Sequence, residues 1–283
     1  INLAEYMADC LMHPEHGYYA TRDPFGAAGD FITAPEISQM FGELIGLSLA
    51  QAWIDQGQPS PFTLAELGPG RGTLMSDALR ATKAVPGFHE GMEVHLVEAS
   101  PALRELQAKA VLQARFHDTV GTLPDAPLFL IANEFFDALP IRQFIRSGDG
   151  WREKMVGVTD NALSFGVSSA TSINLLAHRL ADTKEGDLVE HCPGITGIMP
   201  AIAERIAAHG GAALIIDYGD WVSLGDTFQA LRNQQTIDPL AAPGEADLTA
   251  HVDFAAIAAH TEPSNFSRVT PDGVFLERLG ITQ

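Results

Sequence analysis

Between residues 62 and 132 short apolar runs alternate with stretches at helical spacing, and this rhythm constrains the chain more than any other feature. "FTLAEL" (62 to 67) leads to a helical pattern over 73 to 84, "EVHLVE" (93 to 98) to another over 101 to 113, and "PLFLIA" (127 to 132) closes the series. Strand, helix, strand, helix, strand requires right-handed crossovers, so the expected fold is α/β: a Rossmann-like, doubly wound, mostly parallel sheet with both faces covered. Upstream, Ile37, Met40, Phe41, Leu44, Ile45, Leu49 and Trp53 recur at helical spacing with Pro35 in the first turn, which predicts a helix over 36 to 55 before Gly57, Pro59 and Pro61 break it. Downstream, "IRQFIRSGDGWREKMVGV" reads as a hairpin, with a second short pair near 161 to 175, which predicts an antiparallel β insertion at about 141 to 190. A helix over 195 to 209 stopped by Gly210-Gly211, a strand over 212 to 218, a helix near 251 to 259 and a last strand near 273 to 279, in an edge hairpin, complete the expectation. In domain terms this predicts an N-terminal helical cap over 1 to 60 and a core over 61 to 283 that carries the insertion. The 283 residues, 46% hydrophobic, suffice for one large core or a core with a smaller lobe.

Ligands of open α/β sheets bind beyond the carboxyl ends of the strands, where strand order reverses. "ELGPGRGTL" (66 to 74) stands there, after the first strand. Gly68, Gly70 and Gly72 permit a sharp turn and a close approach of ligand to main chain. A dinucleotide fingerprint needs glycine where Thr73 stands, and a phosphate loop needs a lysine that is absent. Glu66 decides between ligands: a carboxylate repels a pyrophosphate and welcomes a ligand bearing an ammonium and a sulfonium. The pattern E-x-G-x-G-x-G resembles motif I of the class I S-adenosylmethionine-dependent methyltransferases. Glu98, at the end of the next strand, is placed to take two ribose hydroxyls, and Asp118, after "ARFH", to accept from an adenine amino group. The plainer alternative is a tight turn flanked by strand-end acids, with Asp118 in a solvated loop.

Charge narrows the partners. A formal net charge of −19 disfavours nucleic acid, whose phosphates are repelled, and favours a basic protein or peptide or a small cation, although acidity also serves solubility alone. Cys10 and Cys192 are far apart, which speaks against a disulfide framework and suits a reducing compartment. No apolar run is long enough to span a bilayer. Residue 1 is Ile, with a helical pattern already under way, so the natural start is expected upstream and a removed targeting peptide is compatible with the sequence. His13, Glu15 and His16 lack a further ligand cluster nearby, so no metal is expected. "GLSLA" around Ser48 falls inside a helix rather than at a strand-to-helix turn, which discards it as a nucleophile elbow.

"GDFITAPEISQMFGELIG" (29 to 46), "ELGPGRGTL", "HLVEASPALR" (95 to 104) and "NEFFDALPIRQF" (133 to 144) resemble the MidA family, and "HPEHGYY", "LIIDYG" and "GEADLTAHVDF" extend the resemblance over nearly the whole chain. The resemblance implies a class I methyltransferase fold with seven sheet strands and an additional helical and β lobe. It also implies S-adenosylmethionine as donor and an arginine of a protein as acceptor, in mitochondria the quinone-proximal subunit of respiratory complex I, methylated during assembly. The compartment implied is the cytoplasm for a bacterial protein and the mitochondrial matrix for a eukaryotic one.

Within that frame Glu134 and Asp137 in "NEFFDALP" are the leading acceptor-site acids, with Asn133 beside them; Asp217 and Asp253 stand second, and turn-capping or loop-bracing is the alternative for Asp137 and Asp217. Gly29, Asp30, Phe31 and Thr33 precede the Pro35 helix, whose N-terminus is expected to meet the methionyl carboxylate of the donor. Phe135 and Phe136 wall the crevice or belong to the core. Two other functions stay open: an assembly chaperone that binds the donor without turnover, and a small-molecule methyltransferase, which the wide insertion disfavours.

Overall fold

The structure is a computed structural model that describes residues 1–21 and 33–281. Helix α1 (Leu3–Met12) opens on a reciprocal cap in which Asn2 accepts from the Glu5 amide and Glu5 accepts from the Asn2 amide. Helices α2 (Tyr18–Thr21), α3 (Ala34–Ile37) and α4 (Gln39–Asp55) follow. The alternation then runs β1 (Phe62–Leu67), α5 (Thr73–Thr82), α6 (Phe88–Gly91), β2 (Met92–Val97), α7 (Pro101–Ala110), β3 (Arg115–His117) and β4 (Leu128–Asn133). Next come β5 (Arg142–Ser147), β6 (Gly150–Thr159), β7 (Ala162–Val167) and β8 (Leu188–His191), then α8 (Ile195–His209) and β9 (Gly211–Ile216). Short elements complete the chain: β10 (Gly219–Asp220), β11 (Gln229–Arg232), β12 (Gln235–Ile237), β13 (Asp247–Thr249), β14 (Val252–Asp253), α9 (Phe254–Ala258) and α10 (Asp272–Leu279).

Among the described residues the central sheet has five strands in the order β3-β2-β1-β4-β9, every pair parallel. Strand order reverses at β1, whose neighbours are β2 and β4, so the loop after β1 occupies the switch point. One face of the sheet buries Phe62, Leu64, Phe129 and Ile131 against Phe41, Ile45, Leu49 and Trp53 of α4; the other buries Ala65, Leu67, Leu130 and Ala132 against Ile195, Met199 and Ile202 of α8. A third cluster joins Leu3, Tyr6, Met7 and Leu11 of α1 to Ile141, Val156, Ala230 and Leu248. In packing, α4 is therefore a layer of the core, whereas α1 belongs with the lobe built on the sheets β7-β6-β5-β8 and β12-β11-β13.

Several sequence expectations shift. The helix predicted over 36 to 55 is two helices, because Ser38 is extended and starts α4 afresh, and Ile37 and Met40 are left exposed. The pair expected near 161 to 175 is a single strand, β7, which pairs with β6, followed by a 3-10 segment at Asn174–Leu180. Residues 272 to 279 form a helix, not a strand: Asp272 lies in the first turn, Arg278 in the last, and Gly280 closes it at φ +95°, so end signals outweigh the apolar run Val274-Phe275-Leu276. The resemblance implies seven strands in the central sheet; among the described residues that sheet has five.

Helices α4 and α5 touch through glycine. A Cβ on Gly46 would stand 2.6 Å from Ala78 Cα, and one on Gly42 2.8 Å from Asp77 Cβ, so only hydrogen fits between the two backbones. Gly46→Val is expected to cost about 1 to 3 kcal/mol by overpacking, read as a lower denaturant midpoint in chemical unfolding.

Candidate active site

Parallel register brings five acids to one edge. Each strand of the central sheet carries a carboxylate at its carboxyl end: Asp118 after β3, Glu98 after β2, Glu66 in the last turn of pleat of β1, Glu134 after β4 and Asp217 after β9. Main-chain bonds hold these ends level, with the Gly68 amide donating to Val97 O (3.0 Å), the Glu98 amide to His117 O (3.0 Å) and the Glu134 amide to Ile216 O (2.9 Å). Neighbouring strands lie about 4.8 Å apart, so the acids form a continuous row.

Two cavities meet above the row. One, of about 600 Å³, is lined by Val97, Glu98, Leu103, Asp118, Val120 and Phe135 among others; the second, of about 480 Å³, by Glu66, Asn133, Glu134, Asp137, Tyr218 and Asp247 among others. Tyr19, Gly68, Gly70, Glu134 and Ala138 line both and mark the passage between them.

The glycine loop is built as its residues require. Gly68 and Gly70 have φ of +57° and +53°, and a Cβ on Gly68 would meet the Phe135 ring at 2.8 Å. Gly72, at φ +83°, starts α5 and packs near Gln107, Ala110 and Val111, away from the lining of either cavity. Gln107 is fully buried on α7 and donates to Gly70 O (2.7 Å) and to Glu98 Oε2 (2.9 Å), tying the loop to the acid after β2. Sequence reasoning missed Gln107; the available signal was a polar residue one helical turn after Leu103 on the apolar face. Glu98 also accepts from the Ser100 amide (2.7 Å), and burial raises its pKa. Asp118 is exposed and accepts from Arg104 (2.5 Å) while lining the larger cavity.

Glu66 is 3% exposed and its Oε2 has no hydrogen-bond partner. Burial pushes its pKa up to about 8, an effect the Met75 amide only partly offsets. Glu134 sits in the left-handed region at φ +47°, a strained conformation for a residue with a side chain. Burial raises it to about 7, against the stabilising amide of Ala34 and with the charge of Asp217 adding to the rise. Asn133 hydrogen-bonds the Glu134 carboxylate and lines the same cavity. Asp137 is raised well above the usual carboxylate range by burial and then by Asp217, Asp247 and Glu134, and its Oδ1 is buried without a partner.

Other expectations fall differently. Asp217 braces the segment after β4: its Oδ2 accepts from the amides of Phe136 (2.9 Å) and Asp137 (3.2 Å), and burial raises it to about 6. Asp253 caps α9, accepting from the Ala256 amide (2.9 Å), and lines neither cavity of the site. Phe135 walls the larger cavity, whereas Phe136 belongs to the core. Thr33 lines the smaller cavity, but the α3 amide beside it, that of Ala34, meets the protein's own Glu134 carboxylate. Gly29, Asp30 and Phe31 lie outside the described residues. Tyr19, Tyr218, Asp247 and His251 were missed as lining residues; each stands inside a stretch that carries the family resemblance, yet nothing in their spacing marks them. No group of three or more metal-ligating side chains occurs among the described residues.

An S-adenosylmethionine-type ligand fits these residues. The lone buried Glu66 oxygen suits a cation, the bare main chain at Gly68 and Gly70 permits close approach, and Glu98 faces a mainly apolar cavity large enough for a nucleoside. Raised pKa values also set a pH dependence. A carboxyl whose folded pKa exceeds its unfolded value holds its proton longer in the folded state, so its contribution is fully present below about pH 4.5 and lost as pH rises through the folded pKa. For Glu66 the window runs from 4.5 to about 8, and Glu134 and Asp217 act with the same sign. The ligand-free protein is expected to lose unfolding free energy across that window, and Glu66→Gln to remove up to about 1.4 kcal/mol per pH unit of the slope, measured by denaturant titration at several pH values.

Comparison with known proteins agrees with this geometry. Residues 44–270 match the profile of a family described as "Putative S-adenosyl-L-methionine-dependent methyltransferase". The chain is 40% identical to the mitochondrial protein arginine methyltransferase NDUFAF7 of Danio rerio, over 90% of this chain and 67% of that one. It is 37% identical to the Drosophila melanogaster homolog, over 99% and 71%. A solved Burkholderia thailandensis structure bound to S-adenosyl-homocysteine superposes with a TM-score of 0.77 at 28% identity, covering 92% of this chain and 71% of that one. A parallel sheet with its switch-point glycine loop, a cavity large enough for a nucleoside and these likenesses agree: the chain belongs to this family of S-adenosyl-L-methionine-dependent methyltransferases.

Proposed function

We propose that the protein methylates arginine side chains of a basic protein or peptide. The observation that carries this reading is the second cavity, where Glu134 and the unpartnered Asp137 oxygen stand beside the passage to the donor cavity. The printed names of the relatives, protein arginine methyltransferases, support the same acceptor. Bound S-adenosylmethionine supplies an electrophilic methyl group; this chain's residues align the partners and manage the proton. Glu98 and Asp118 in the larger cavity, Gly68 and Gly70 at the passage, and Glu66 and Thr33 on the wall of the smaller cavity are our donor-side residues, with Gly72 shaping the loop from behind. Glu134, Asp137 and Asn133 are our acceptor-side residues.

Removing a proton from guanidinium at pH 7 before reaction costs roughly 7 to 9 kcal/mol, and nearby carboxylates raise that cost by favouring the cation. Glu134 and Asp137 therefore grip the charged guanidinium, fix which nitrogen faces the methyl and receive the proton as it is lost. Glu134, shifted by burial to about 7, is suited to both states at neutral pH.

For the acceptor we propose the quinone-proximal subunit of respiratory complex I or its bacterial counterpart, met in the mitochondrial matrix or the bacterial cytoplasm. As units we propose an N-terminal helical cap over 1 to 60, of which α4 packs as a layer against the sheet, and a methyltransferase core over 61 to 283 that carries the acceptor-side insertion at about 141 to 190. Incubating candidate subunits with methyl-labelled donor, followed by intact-mass measurement and peptide mapping, tests the reaction. Label on arginine is expected; label in a metabolite fraction, or tight binding of the subunit with no label, would overturn it. Glu98→Ala is expected to weaken donor binding by about 1 to 3 kcal/mol in calorimetry. Glu134→Gln is expected to lower turnover by about 100-fold or more and to change donor affinity far less.

A further inference from the structure

Tyr19 faces both cavities, and its two ends make different attachments. Its hydroxyl donates to Asp247 Oδ1 at 2.8 Å, and its carbonyl accepts from Ser100 Oγ at 2.8 Å. Ser100 in turn donates its amide to Glu98 Oε1. The preceding residue, Tyr18, is fully buried and meets the Tyr19 ring edge-on at 5.2 Å, which fixes the ring. Asp247 is 4% exposed, stands on β13 opposite Leu231 of β11, and lines the smaller cavity from the lobe side. Its charge acts on Asp137, so acids from two separate elements face one space.

We propose that Tyr19 is a positioning residue of the acceptor cavity: its hydroxyl holds Asp247, a specificity-determining acid, toward the acceptor cation, and its main chain anchors that assembly to the segment carrying Glu98. The proposal rests on the reading that the cavity takes an arginine. A guanidinium carries five donors in one plane and can be met by carboxylates from more than one side, whereas an ammonium concentrates three donors on one atom. Glu134 and Asp137 come from the segment after β4; Asp247 supplies the acid from a different wall. Removing the Tyr19 hydroxyl keeps the ring and takes one hydrogen-bond donor from a buried carboxylate at the cavity wall.

The test uses the full chain loaded with S-adenosyl-homocysteine and titrated calorimetrically with L-arginine amide and L-lysine amide. The wild-type protein is expected to prefer the arginine amide. Tyr19→Phe is expected to weaken arginine amide about 3- to 10-fold while S-adenosyl-homocysteine affinity stays within about twofold. Asp247→Asn should weaken it at least as much, and the double variant no more than Asp247→Asn alone, since Tyr19 acts through Asp247. In turnover on the mapped acceptor, Tyr19→Phe should raise KM more than it lowers kcat. Undiminished arginine preference in Tyr19→Phe, a loss confined to S-adenosyl-homocysteine, or additive losses in the double variant would overturn the proposal and leave the arginine reading standing. Absence of any arginine preference in the wild-type protein would overturn the arginine reading itself. Asp247→Asn decides the acid's role independently if Tyr19→Phe does not fold.

Discussion

An excess of carboxylate at the carboxyl edge of a parallel sheet is the constraint around which the rest of this molecule is arranged. Parallel pairing holds all strand ends level, so acids separated by long stretches of sequence become neighbours. Burial then raises the pKa values of Glu66, Glu98, Glu134, Asp137 and Asp217, and neighbouring charges raise Glu134 and Asp137 further. Such an edge is least costly when cations occupy it; a sulfonium donor brings one, and the guanidinium acceptor we propose brings a second.

The acids are held by different means, and the means separate their roles. Asp217 spends its oxygens on main-chain amides and orders the segment after β4, so it acts as a brace. Glu98 is gripped by Ser100 and Gln107, which fixes its direction at the wall of the larger cavity. Glu66 and Asp137 each keep a buried oxygen with no partner, a costly state in the absence of a ligand. Glu134 sits on a strained main chain at φ +47°, and such strain at a strand end accords with use rather than packing.

Much of this was legible in the residues. Apolar runs and helical patterns located β1, β2, β4 and β9 of the central sheet, because buried parallel strands are short apolar runs and their crossovers are amphipathic, whereas three-residue β3 is too short to carry such a pattern. The glycine loop and its flanking acid were legible because main-chain conformation at positive φ restricts residue type. Local patterns failed where end signals decided the outcome, as at Asp272 and Gly280, and where a single extended residue, Ser38, divides one helical pattern into two. Gln107 and Tyr19 escaped because each looks like an ordinary helix residue, and their partners lie on other elements.

By itself, then, the sequence determined the α/β class, the place of the switch point and the chemical bias of a site with acids and no phosphate-binding lysine, since these follow from spacing and residue type along one stretch of chain. Tertiary structure alone decided which acids share a cavity, which are consumed by main-chain amides, and that Asp247 from the lobe faces Asp137 from the core. Charge interaction and burial depend on distance through space, and sheet register together with lobe packing sets those distances.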